Sequence, residues 1–267
     1  MKKPLISIVI PTKNSEKTLG PCLASVAAQG RKDFELIIVD GNSTDGTGAV
    51  AKEYDSILIT SGLSLPGSRN LGFSKARGDI FLSIDSDMIL EPDLLDDIAK
   101  SIDGYGALII PESGYGSGIL SACKSLEKEC YVGDPMMESA RAFTRASFMK
   151  LGGYDASLLM GEDKDLHCRL EEAFPIGRTR AKVLHNTEHL SLSSSLGKSY
   201  RYGRTFKSLV SKKNPRLGKA FSGRRLFPLR HLKILIRRPL TAVLLAMLKG
   251  LEYSAFGLGY ILSVAGF

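Results

Sequence analysis

The chain has no CxxC pair. Its four cysteines (Cys22, Cys123, Cys130 and Cys168) are scattered over 267 residues, which argues against a thiolate zinc site and for a reducing compartment. It has no internal repeat and no long low-complexity tract. The segment "MKKPLISIVIP" offers two lysines and then an apolar run too short for a secretory signal and followed at once by a turn, and is expected to be the first core strand. The scarcest feature is acid near the C-terminal end. Residues 189–267 hold 15 Lys and Arg and one acid, Glu252, a net of +14. Residues 1–188 hold 21 Lys and Arg against 27 Asp and Glu, a net of −6. So basic a block points to nucleic acid, anionic lipid or an acidic substrate. No aromatic-interleaved RNA motif accompanies it, which argues against nucleic acid.

What is present is a length sufficient for a large core plus an appendage, and an alternation of strand-like and helix-like segments. The runs at 5–10, 34–40, 56–60, 79–85 and 107–111 are short, apolar and rich in β-branched residues. Between them lie helical patterns at 19–27, at 67–78 (closed by Gly78) and at 92–102, the last with proline at its start. Continuous apolar strands separated by helices predict an α/β fold with a mostly parallel sheet covered on both faces. "ESGYGSG" (112–118) reads as a loop, and 119–130 as a helix. A boundary is expected near 190, giving a catalytic domain over 1–190 and a basic and apolar helical region over 191–267.

In such a sheet, ligands bind beyond the carboxyl ends of the strands; the turn residues after Ile10, Val39 and Ile84 would share that edge, and two of those ends carry acid. Asp40 closes one. "SIDSDMILEPD" places Asp85 and Asp87 two apart at another, where strand alternation would point both the same way. Two such carboxylates disfavour each other's ionisation. A divalent cation would relieve that, with diphosphate oxygens completing its shell. The plain alternative is a solvated strand end with a helix-capping aspartate.

Five blocks extend the pattern, in order: "SIVIPTKNSEKTL", "IIVDGNSTDGT", "GSRNLGF", "GDIFLSIDSDM" and "RASFMKLGGYDASLLMGEDKDLHCRL". Over about residues 5–190 the chain resembles glycosyltransferase family 2, with its GT-A fold. The resemblance implies inverting transfer of a sugar from a nucleotide-diphosphate sugar, with Mn²⁺ or Mg²⁺ as cofactor. It implies that Pro11, Thr12 and Asn14, with Glu16 nearby, hold the nucleotide and that Asp40 contacts the base or ribose. Arg69 and Asn70 would face the diphosphate and sugar, and Asp85 and Asp87 would form the DxD metal motif. Asp163 in "GEDKD" would be the general base, with Glu162 beside it facing the acceptor. Asp165 and His167 read as structural. A third metal ligand is expected near "VLHNTEHLS", from His185 or its rival His189. "YRYGR" (200–204) resembles a basic motif used against the donor diphosphate, through Arg201 and Arg204, although it is equally one more pair on a basic face. The family's processive synthases usually show a Gln-x-x-Arg-Trp motif in this region, and this chain contains no tryptophan.

From Gly197 to Arg238 the chain carries fourteen Lys and Arg and no acid, and an apolar segment follows whose only charges are Lys249 and Glu252. A basic run ahead of apolar helices fits an interfacial anchor, and a pair of amphipathic helices packed within the protein or an oligomer is its alternative. The expectation is a membrane-associated enzyme on the cytoplasmic face of the cell membrane, peripheral or monotopic. It would move mannose or glucose, with GDP-mannose foremost, to a lipid-linked or glycolipid acceptor, and a homo-oligomer is compatible with it. The rival readings are a nucleotidyltransferase, whose glycine-rich loop with lysine is missing from "PTKNSEKT", and a non-enzymatic basic protein that binds membrane or nucleic acid.

Overall fold

Ile6, Ile8 and Ile10 join one hydrophobic core, while Val9, in the same strand, joins another. That alternation is the structural meaning of an unbroken apolar run: both faces of the strand are buried, so no polar position is needed. The computed structural model describes residues 5–135, 137–188, 190–210 and 231–266. It divides into two compact units, one formed by Met1–Pro111, Ser139–Ala156 and Glu162–His185, the other by Glu112–Glu138, Ser157–Gly161 and Asn186–Phe267. Charge alone placed the division at 190. Contacts place it at Asn186 and add two earlier segments to the second unit.

The first unit is built on a sheet whose first four strands run parallel in the order β3 (Ile57–Thr60), β2 (Phe34–Asp40), β1 (Ile6–Thr12) and β4 (Ile80–Ser83). Beyond β4 the order continues with β8 (Ala140–Thr144), β6 (Ala107–Ile109) and β9 (Ile176–Arg178). Strand β8 runs antiparallel to both of its neighbours, and the other adjacent pairs are parallel. Helices α1 (Glu16–Ala27) and α4 (Leu94–Ser101) contribute Leu19, Leu23, Val26, Leu94, Leu95 and Ile98 to one core. Helices α3 (Leu65–Lys75), α6 (Arg145–Lys150) and α7 (Glu162–Ala173) contribute Phe73, Phe148, Leu166 and Leu170 to the other. That second core holds an aromatic cluster, with Phe73 stacked on Phe81 at 4.7 Å and Phe148 in contact with both. Helix α3 stops at Lys75 rather than at Gly78. Helix α2 (Thr47–Lys52), strand β5 (Met88–Leu90) and strand β10 (Val183–Asn186), whose Val183, Leu184 and His185 pair antiparallel with β5, complete this unit.

In the second unit, "ESGYGSG" is not all loop: Glu112–Tyr115 forms strand β7. Helix α5 (Ile119–Tyr131) and helix α8 (Leu192–Val210) follow, then a short helix, Leu232–Ile236. The C-terminal apolar segment is one 27-residue helix, Pro239–Ala265, rather than a pair. Leu245 and Leu248 of this long helix pack with Cys123 and Leu126 of α5. Phe256 and, from α8, Phe206 pack with Leu158 and Met160. The long helix meets α8 backbone to backbone at two glycines. A Cβ at Gly203 would strike the carbonyl oxygen of Phe256, and one at Gly259 would strike that of Tyr200. Gly203 of "YRYGR" therefore has a packing role of its own.

Candidate active site

Parallel strands bring the ends of β1, β2 and β4 to one edge, and short polar side chains tie the loops there together. Pro11 lies at the end of β1, past Val9, the last residue paired with β4, where the missing N–H leaves no ladder partner unsatisfied. Asn14 sits at φ +48°, a conformation asparagine tolerates. Its side chain accepts from Thr44 N at 2.9 Å, and its N–H donates to Ser43 Oγ at 2.8 Å. Glu16 accepts from Gly46 N, and its own N–H donates to Asp45. Asp40 is buried and accepts from both the N–H and the hydroxyl of Ser43. Four of the residues expected to hold the nucleotide are thus brought together, with Asn14, Glu16 and Asp40 engaged in shaping the loops. Thr12 differs: its hydroxyl is buried with no hydrogen-bond partner.

The strand ends before the acidic pair begins. Strand β4 stops at Ser83, and Asp85 and Asp87 lie in the turn leading to β5, so strand alternation does not align them. Each has its own partner. Arg69 Nη2 lies 2.6 Å from Asp85 Oδ1, and Arg141 Nη1 lies 3.4 Å from Asp85 Oδ2. Burial pushes the Asp85 carboxyl up, but Arg69 and Arg141 outweigh it and hold the group well below the usual carboxylate range. Asp87 Oδ2 lies instead 2.9 Å from His185 Nε2, with both side chains part-exposed.

Arg69 is only 4% exposed. Its other terminal nitrogen, Nη1, reaches Glu162 Oε1 at 2.7 Å, and its guanidinium lies over the Tyr154 ring at 5.2 Å. It links the β4–β5 turn to the first turn of α7, where Glu162 is buried and Asp163 part-exposed. Acids in that turn are favoured by the helix dipole. Burial and the adjacent Asp163 raise the Glu162 carboxyl above its ordinary value despite Arg69, because one guanidinium is divided between two carboxylates. Asp163 Oδ1 accepts from Lys164 N, which fixes its direction. Asn70, expected to face the donor, spends its amide on the backbone of Tyr154, donating to the carbonyl at 2.7 Å and accepting from the N–H at 2.9 Å. Asp165 pairs with Arg169, and buried His167 accepts from Ala140 N.

Arg141 and Tyr154 went unnoticed in the sequence. Arg141 sits within the strand-like "ARAFT" beside β4, and only the antiparallel pairing of β8 brings it to Asp85. Tyr154 lies inside the quoted block "LGGYD", where nothing local marks it as the support for Arg69.

For a divalent metal, the chemistry of the donor set fits in part. Asp87 and His185 offer an oxygen and a nitrogen in contact, a pair suited to Mn²⁺. Asp85 is engaged by two guanidiniums, and His189 lies outside the described residues. Among the described residues, no three His, Cys, Asp or Glu converge on one point, so Asp85, Asp87 and His185 do not form the expected three-ligand set there. Arg201 and Arg204 stand exposed on α8 in the second unit.

Comparison with known proteins adds to this geometry. The family model described as Glycosyl transferase family 2 matches residues 7–125. Poly(ribitol-phosphate) beta-N-acetylglucosaminyltransferase TarS of Staphylococcus aureus is 34% identical over 108 residues, which is 37% of this chain and 19% of that protein. Glycosyltransferase GlyA of Streptococcus pneumoniae is 30% identical over 108 residues, 38% of this chain and 16% of that one. The chain thus spans under a fifth of the length of either relative. Among solved structures, the mannosyltransferase PcManGT from Pyrobaculum calidifontis, in complex with GDP-Man and Mn²⁺, superposes with a TM-score of 0.65 at 14% identity, covering 97% of this chain and 88% of that one.

Proposed function

We propose that the chain transfers a sugar from a nucleotide-diphosphate sugar to an acceptor hydroxyl, with inversion, because residues 7–125 match the model of glycosyl transferase family 2 and the chain has the GT-A fold. The observation that carries this reading is the bridge made by Arg69 between Asp85 and Glu162. It ties a donor-side acidic turn to the helix end that bears a part-exposed carboxylate. Inverting transfer requires a base on the face opposite the leaving group and neutralisation of the departing diphosphate. Asp163 is the base and removes the acceptor proton. Glu162, kept at a raised pKa beside it, lines the acceptor side. Thr12, with its unpartnered buried hydroxyl, is placed to meet the donor.

Asp87 and His185 would hold the divalent ion, whose contribution is charge neutralisation at the diphosphate. Arg69 is a positioning residue, since both of its terminal nitrogens are committed to carboxylates. The acceptor is lipid-linked and the enzyme works at the cytoplasmic surface of the membrane. That reading is supported by the net charge of +14 beyond residue 188. GDP-mannose leads the donor candidates, followed by UDP-glucose.

The test is thermal stabilisation by a panel of nucleotide sugars, with and without Mn²⁺, because a ligand that binds the native state raises Tm. A metal-dependent rise with one sugar nucleotide, abolished by Asp87→Asn, is expected. A rise with nucleoside triphosphates instead would favour nucleotidyl transfer, and no rise with any nucleotide would leave a non-enzymatic basic protein.

A further inference from the structure

The two charges in the middle of the long helix, Lys249 and Glu252, are not exposed to an apolar surrounding. Lys249 lies 2.8 Å from Glu127 and 2.9 Å from Glu252, and Lys124 lies 2.8 Å from Glu127 and 2.7 Å from Glu252. The result is a closed ring of two ammonium and two carboxylate groups that joins the long helix to α5. Among the described residues, the opposite side of the helix is left exposed. Leu240, Val243, Met247 and Leu251 follow three- and four-residue spacing, Leu258 and Ile261 continue the same face two turns on, and each of the six is between 49% and 74% exposed. At about 1.5 Å per residue the stripe runs the length of the helix. At its N-terminal end the short helix Leu232–Ile236 exposes Leu232 and Ile236, with Lys233 and Arg237 exposed beside them.

We infer that the long helix lies flat in the headgroup region of an anionic bilayer, its outer stripe buried in lipid and its inner face clamped to α5, and does not cross the membrane. This deepens the membrane-surface reading above and rests on it for the lipid-borne acceptor. Length and composition alone would permit a crossing, since the helix has 27 residues and is largely apolar. The ring decides against it. A crossing would either open the ring in hydrocarbon, leaving four charges unpaired, or drag α5 with it, and α5 also carries Lys128 and Glu129. A helix with one apolar face and basic flanks suits the interface. A second copy of the chain suits the stripe less well, because it brings the same net positive charge to the contact.

The absence of tryptophan makes the test direct. Leu240→Trp, Met247→Trp and Leu258→Trp, made singly in the full chain, each supply the only indole. With phosphatidylglycerol-containing vesicles, all three emissions should shift to the blue and be quenched to the same extent by lipids brominated high on the acyl chain. Pure phosphatidylcholine vesicles should bind at least tenfold more weakly, on the order expected when a few cations meet an anionic surface. Deep quenching of Met247→Trp with shallow quenching of Leu240→Trp would establish a crossing and overturn the inference. No shift with vesicles, together with a lipid-free spectrum that changes with protein concentration, would assign the stripe to a second copy and overturn it equally. Nucleotide-sugar binding, measured in parallel, keeps the two readings separate. Vesicle binding without it would support the flat helix while removing sugar transfer.

Discussion

In the ring of the second unit, every carboxylate oxygen has its own ammonium contact: Glu127 and Glu252 each use one oxygen for Lys124 and the other for Lys249. In the first unit one guanidinium, that of Arg69, is divided between Asp85 and Glu162, with Arg141 also at Asp85. Both networks are buried and both join segments far apart in the chain. The ring is neutral and closed, and Ser195 and Tyr131 donate to its carboxylates as well. It has no capacity for a ligand and serves as a clamp. The network at the candidate active site sets Arg69 and Arg141 against Asp85 and Glu162 and opens onto two further, part-exposed carboxylates, Asp87 and Asp163, so that acids there outnumber arginines four to two. A surplus of acid of that kind leaves room for a proton or a cation, which the proposed sugar transfer requires.

The largest effect that would sharpen this comparison is on turnover. Asp163→Asn should lower kcat by about 10² to 10⁴-fold, the usual scale for loss of a general base, while donor affinity measured by calorimetry stays unchanged. Turnover within a few-fold of wild type would show that the open network is not catalytic. Stability comes next. Arg69→Met strips a cation from buried Glu162 and part-buried Asp85, and Lys249→Met from buried Glu127 and Glu252, and each should cost about 3–5 kcal/mol in denaturant unfolding. The networks should part when all charges are removed together. Replacing Lys124, Glu127, Lys249 and Glu252 with Met and Leu should be neutral or stabilising by about 1–4 kcal/mol. A large loss in that quadruple variant would give the ring more than a clamping role.

A smaller effect is set by pH. Burial pushes the Glu127 carboxyl up, but Lys249 and Lys124 overcome it and lower its pKa to about 2 from an ordinary 4.5. The unfolded chain therefore binds this proton at higher pH than the folded one. The contribution, roughly 3 kcal/mol at 1.4 kcal/mol per unit, is fully present above pH 4.5 and is lost as pH falls toward 2. Unfolding of wild type and Glu127→Gln compared from pH 5.5 to pH 2.5 should show a shallower acid decline in the variant, and identical slopes would refute the assignment. The smallest effect concerns packing. Gly203→Ala forces a methyl group into the Phe256 carbonyl and should destabilise by about 1–3 kcal/mol. Gly257→Ala, which meets nothing within 4 Å on the long helix, should stabilise by up to about 1 kcal/mol. Equal changes in Tm for the two would show that the long helix does not press on α8.

Much of the first unit was legible. The β2 strand matches its expected span from Phe34 to Asp40 residue for residue, because a strand buried on both faces reads as a mostly apolar run bounded by turn residues, and its buried Glu35 is satisfied by Ser7 and Arg77. The reversal of β8 was not legible, since an apolar strand carries no mark of its direction. The strand at Glu112–Tyr115 was hidden by glycine and serine, whose low strand propensity was overridden by tertiary pairing. At the site, residue types and loop positions were readable, but their partners were not. Asp85 and Asp87 looked like a matched pair only while a strand was assumed to run through them.

The sequence by itself determined the order of strands and helices, the edge of the sheet where acids gather, and the concentration of positive charge near the C-terminal end. Each of these depends on neighbours in the chain: an alternating pattern, a turn residue, a run of like charge. Tertiary structure alone decided which charge meets which. Arg69 finds Glu162 across 93 residues and Lys249 finds Glu127 across 122. No local pattern encodes such pairings, because the strength of an ion pair depends on the burial and distance that only the folded chain sets.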